Sequence, residues 1–118
     1  MLSRMQYDIL QTSGKVIATL LAEMQSEDEL FASANTLQRV EAHLLVLAQT
    51  LAHLPQPLRQ RLVQVDWHGW QRLQHLLEAG VRPRREEVWY AIRALVPATL
   101  ELIAKLRRQE PVWFETGF

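Results

Sequence analysis

Apolar residues return every three or four positions along most of this chain, which is the period of an amphipathic helix. Met5, Ile9, Val16, Leu20 and Met24 mark a first helix, with Ser3 as its N-cap and an end near Gln25. Gly14 falls inside it, at a cost of about 1 kcal/mol against alanine in an exposed helix. Either a neighbouring helix packs closely there or the position is a weak point. Ser26-Glu27-Asp28-Glu29 has the form of a capping box, with its acids at the positive end of a helix dipole, and predicts a short turn through Leu30 and Phe31.

The longest stripe is Leu37, Val40, Leu44, Leu47, Leu51 and Leu54, in steps of three and four. It predicts a helix from about Ser33–Asn35 to Leu54, whose stripe is either a bundle core face or part of a homodimer seam. Pro55 and Pro57 stop it, and Pro57 suits the first turn of a new helix carrying Leu58, Leu62 and Val65. Asp66 is a good N-cap for a helix from Trp67 to Ala79, with Gly80 as its left-handed stop. Pro83 marks a loop. Glu86 and Glu87 open a last long helix through Arg108, which Pro97 should kink. The sum is an all-α, up-and-down bundle of four to five helices over residues 1–110, followed by an apolar tail, 111–118. Trp113 and Phe114 in that tail either dock back on the core or meet a partner.

Composition narrows the chemistry. A chain of 118 residues that is 48% hydrophobic is long enough for one domain with its own core. It has no cysteine, which excludes disulfides, thiolate metal sites and cysteine nucleophiles. No apolar run approaches a membrane span and no signal peptide is visible, so a cytoplasmic location is expected. Thirteen basic residues balance thirteen acidic ones, which argues against a strong nucleic-acid field. The first fifty residues are nevertheless acidic on balance and the remainder basic. Arg82, Arg84 and Arg85 form the densest basic patch, either a solvated loop or a contact for phosphate or an acidic partner.

No glycine-rich phosphate loop or His-Glu-x-x-His motif is present. His68 and His75 stand seven positions apart without a third ligand, so no metal and no cofactor is expected. Arg61 and Arg72, with the same two histidines, are the cations and proton carriers from which a phosphate-cleaving site would have to be built. Trp67, Trp70, Trp89 and Tyr90 put four large rings on two successive helices, either as a core cluster or as a partner interface.

Val65-Asp66-Trp67-His68-Gly69-Trp70-Gln71-Arg72-Leu73, then Glu87-Val88-Trp89-Tyr90-Ala91-Ile92 and Leu95-Val96-Pro97-Ala98-Thr99-Leu100, resembles the C-terminal half of HepT-like proteins of the HEPN superfamily. Val40 to Pro55 resembles the third helix of the same family, so the likeness covers most of the chain. The resemblance implies an all-α bundle that dimerises and, in active members, a ribonuclease toxin partnered by a small nucleotidyltransferase antitoxin. The family's arginine, histidine and tyrosine signature falls on Gln74, near Ala79 and near Val81 here, and the polar Gly-Glu pair of its third helix falls on Ala48 and Gln49. Glutamine brings no fixed positive charge to a phosphate, and alanine transfers no proton.

Three readings follow. The first is a non-catalytic HepT-like module that binds a protein partner, with Trp67, Trp70, Trp89, Tyr90, Trp113 and Phe114 as interface residues. The second is a ribonuclease whose site has moved to Arg61, His68, Arg72 and His75. The third is an unrelated helical adaptor that uses the tail as a docking peptide.

Overall fold

The computed structural model describes residues 4–114. All of the regular structure is helical: α1 (Arg4–Ala22), α2 (Glu27–Ala32), α3 (Ala34–Ala52), α4 (Gln56–Arg61), α5 (Trp67–Ala79), α6 (Arg85–Tyr90), a π-helical turn (Ala91–Leu95), α7 (Val96–Gln109) and a final 3-10 turn (Pro111–Trp113). α1 packs on α3, α3 on α5, and α7 on α1. The chain is thus an all-α helical bundle. It has more helical segments than the expected four to five, because short helices form between the long ones.

Local chemistry explains the boundaries. The Ser26 hydroxyl accepts the Glu29 N–H at 3.1 Å, as a capping box requires. The return bond differs from the expected box: the Glu29 carboxylate takes the N–H of Gln25, one residue before the cap, at 2.7 Å. α1 itself ends at Ala22, short of Gln25. Ser3, the expected cap of α1, lies outside the described residues. Asp66 caps α5 through the Gly69 N–H at 2.9 Å, and Gly80 closes it at φ +67°. α4 stops at Arg61, so Leu62 and Val65 reach the core from a turn, not from the helix.

Helical backbone runs on through Pro97, with a π-helical turn just before it. The helix before it widens, and the Val96 N–H bonds to the Ala91 carbonyl five residues back. This π-turn takes up the missing Pro97 N–H ahead of α7.

The stripe of α3 faces inward: Val40, Leu44, Leu47 and Leu51 are buried within the chain, Leu37 packs against them, and Leu54, expected to close the helix, is buried just beyond its end at Ala52. It is therefore the core face of a bundle. Gly14 is buried where α1 meets α7, and a Cβ there would stand 2.4 Å from Leu100 Cδ1. The neighbouring helix thus packs closely there, through the end of the Leu100 side chain. In the tail, Phe114 returns to the core and meets the edge of Tyr7 at 5.8 Å between ring centres. Residues 115–118 of the tail lie outside the described residues. No described helix is long and apolar enough to cross a membrane.

Candidate functional site

The richest concave surface lies where the first turns of α5 face α6 and the π-turn. Asp66, His68, Gly69, Arg72 and Leu73 form one wall of this groove of about 350 Å³, and Glu86, Glu87, Tyr90 and Leu95 form the other. His68 and Arg72 share it because they lie four positions apart on one helix face. Tyr90 and Leu95 share it because the π-turn separates them: five residues make one wide turn, so both side chains reach the same side.

The polar groups here are loosely tied. Arg72 stands 3.7 Å from Glu87, a long contact between partly exposed side chains. The Tyr90 hydroxyl donates to Asp66 Oδ2 at 3.3 Å, while the other oxygen of Asp66 caps α5. A Cβ on Gly69 would meet Asp66 Oδ2 at 2.4 Å, so glycine at this position makes room for the capping carboxylate. An arginine, an imidazole, a phenol and three carboxylates thus face one hollow. Such a set can bind a charged group and move a proton.

The other candidates disperse. Arg61 lies on a separate surface between the end of α4 and α7, where it pairs with Glu110. His75 is exposed on the far part of α5, close to Glu78. The basic patch is largely neutralised. Arg84 forms a two-pronged pair with Glu41, both bonds at 2.9 Å, and is almost buried. Arg85 bonds Glu27 and Asp28 of α2 and lies over the Phe31 ring at 4.6 Å. Both arginines have raised pKa values, chiefly through hydrogen bonds to these carboxylates. Arg82 remains exposed.

The six candidate interface rings divide by burial. Trp70 and Phe114 are buried in the chain's own core. Trp67, Trp89 and Trp113 are half-buried against it, and Tyr90 is 51% exposed.

At the place where the resembling family keeps its signature, α3 and α5 are joined by amides. Gln49 and Gln74 both donate to the same Glu78 oxygen, at 3.1 and 3.3 Å. The Gln49 bond first, and the Gln74 bond second, hold the Glu78 carboxyl below its ordinary range. Ala79 follows in the last turn and Val81 sits beyond Gly80, both exposed. The sequence shows the two glutamines but not this network, because Gln49 and Glu78 are 29 residues apart and only the packing of α3 on α5 joins them.

A second groove of about 600 Å³, mostly apolar, runs between α1 and α3. Met5, Ile9 and Val46 line it, and at its floor His43 Nδ1 meets the buried Ser13 hydroxyl at 3.2 Å. No signal in the sequence marked this pair as partners.

No protein-family model, curated protein or solved structure matches the chain.

Proposed function

We propose that the chain is a non-catalytic, HepT-like helical protein of the HEPN superfamily that serves as a protein-binding or assembly module. The observation that carries this reading is the Gln49–Glu78–Gln74 network. At the signature positions of the resembling family it places two amides on a carboxylate, so that Gln74, Ala79 and Val81 bring neither an arginine to hold a phosphate nor an imidazole to transfer a proton. Pairing of Arg84 and Arg85 with acids supports the same reading, since neither guanidinium is left over for an RNA backbone. The module is a cytoplasmic homodimer in a toxin–antitoxin-type system, with a nucleotidyltransferase-type protein as its partner. The α1–α3 groove, with Met5 74% exposed and Val46 37% exposed, offers the apolar surface for the second copy.

Purified chain incubated with structured and unstructured RNA is expected to leave both intact. Its mass in solution is expected to be that of a dimer, falling to a monomer in Val46→Glu. Cleavage that disappears in His68→Ala or Arg72→Ala would replace this reading with the second one, a ribonuclease with a displaced site. One observation favours that alternative: His68 and Arg72 line one groove together with Tyr90 and Asp66. Arg61 and His75 lie outside it.

A further inference from the structure

A smaller hollow lies between α3, α4 and α5, apart from both grooves. It measures about 180 Å³. Two tryptophans wall it, Trp67 and Trp70, and both rings are fixed by bonds that lead away from it. The Trp67 indole N–H donates to the Leu62 carbonyl at 3.0 Å, and that of Trp70 to the Thr99 hydroxyl at 2.9 Å. The rings therefore offer the hollow apolar surface and no donor. Ala48, Leu51 and Ala52 of α3 also line it.

Three polar side chains line the same hollow with bonding capacity unused. Arg59 makes no ion pair with any described residue; its guanidinium carbon lies over Trp67, 4.7 Å from the ring centre. Gln71 makes no side-chain hydrogen bond with any described residue. Gln74 spends its N–H on Glu78, which leaves its carbonyl oxygen as an acceptor. A fixed aromatic wall, a free amide with both donor and acceptor, a second acceptor and an unpaired cation match one kind of ligand. The wall takes a flat ring, the glutamines take its hydrogen-bonding edge, and Arg59 takes a negative charge. The volume suits a single ring system and little more.

We propose that this hollow binds a small planar heteroaromatic anion: one flat ring with a donor–acceptor edge, carrying a phosphate or carboxylate that meets Arg59. This does not depend on the assembly reading above, although Gln74 belongs both to this hollow and to the network on which that reading rests. The shared chemistry has two sources, a nucleoside monophosphate and a free aromatic acid.

The full chain titrated with uridine monophosphate, with orotate and with inorganic phosphate separates the cases, read by the side-chain N–H resonances of the four tryptophans. Either of the first two is expected to shift Trp67 and Trp70 and leave Trp113 in place. The one that binds more tightly names the source. Arg59→Gln is expected to weaken binding about tenfold or more, the loss of a charge-assisted bond. Ala52→Met fills the mouth of the hollow from an exposed position on α3 and should abolish binding while leaving the helical circular dichroism unchanged. The proposal is overturned if neither ring compound moves Trp67 and Trp70. It is equally overturned if phosphate alone moves them as strongly, or if binding is the same in Arg59→Gln and Ala52→Met.

Discussion

Arg84 grips Glu41 with two parallel bonds of 2.9 Å across 43 residues of sequence, and both side chains are almost shut off from water. This fork fastens the loop before α6 to the middle of α3. It joins the acidic N-terminal part of the chain to the basic C-terminal part, and the Arg85 contacts with Glu27 and Asp28 do the same nearer the surface.

Removing one partner of such a pair is worse than never having had it, because the other charge stays behind in a dry place. Glu41→Ala is expected to destabilise the fold by about 2–3 kcal/mol, read as a lower urea midpoint with an unchanged slope. The double variant Glu41→Leu/Arg84→Met should recover much of that loss, since it leaves no orphaned charge. Arg85→Ala should shift the midpoint far less, because water replaces its contacts.

At the start of α5, Asp66 does two jobs with its two oxygens: one caps the helix and the other accepts from Tyr90. Asp66→Ala is expected to cost about 1 kcal/mol, the usual loss of a cap. Asp66→Asn keeps the cap and should cost less. Chemical denaturation of the three proteins side by side checks the order. Equal losses in both variants would mean that the Tyr90 contact needs the carboxylate charge and outweighs the cap.

Much of this fold was legible because its boundaries are set by neighbouring residues. Asp66, Gly80 and the Ser26 box act within four positions of themselves, and the α3 stripe shows its period directly. The π-turn was not legible. Pro97 predicts disturbance, but nothing in its neighbours says that the helix widens over Ala91–Leu95 ahead of it. The candidate site was less legible still. His68 and Arg72 come together as their spacing suggests, yet Glu87 and Tyr90 join them only through the packing of α5 on the last helix. The arginines at 84 and 85 read as a patch in sequence, whereas in space each has found a carboxylate on α2 or α3.

Trp70 and Thr99 form a buried pair whose two halves differ in tolerance. The indole N–H can only donate, and its hydrogen bond is to Thr99, whereas a threonine hydroxyl in a helix can turn to the carbonyl one turn back. Thr99→Val should therefore cost about 2 kcal/mol by orphaning the indole N–H. Thr99→Ser keeps the acceptor and is expected to lose only the packing of one methyl, about 1 kcal/mol. Thermal unfolding of both variants tests the order.

Glu110 holds the tail by accepting from Arg61 and from the Trp113 indole N–H, the latter at 3.1 Å. The Arg61 bond, with a smaller share from Trp113, lowers its pKa below the ordinary 4.5, against the opposing effect of burial. A folded pKa below the unfolded one means that the contact stabilises fully above the unfolded value and is lost as pH falls through the folded one. The tail is therefore expected to stay clamped at neutral pH and to loosen only below pH 4.5. The Trp113 side-chain N–H resonance, followed from pH 7 to pH 2, should move with a midpoint below 4.5. In Arg61→Gln the midpoint should rise toward the ordinary carboxyl value, because the largest cause of the shift is gone. A midpoint unchanged by that substitution would show that Trp113 reports another group, and that Arg61 does not hold the tail.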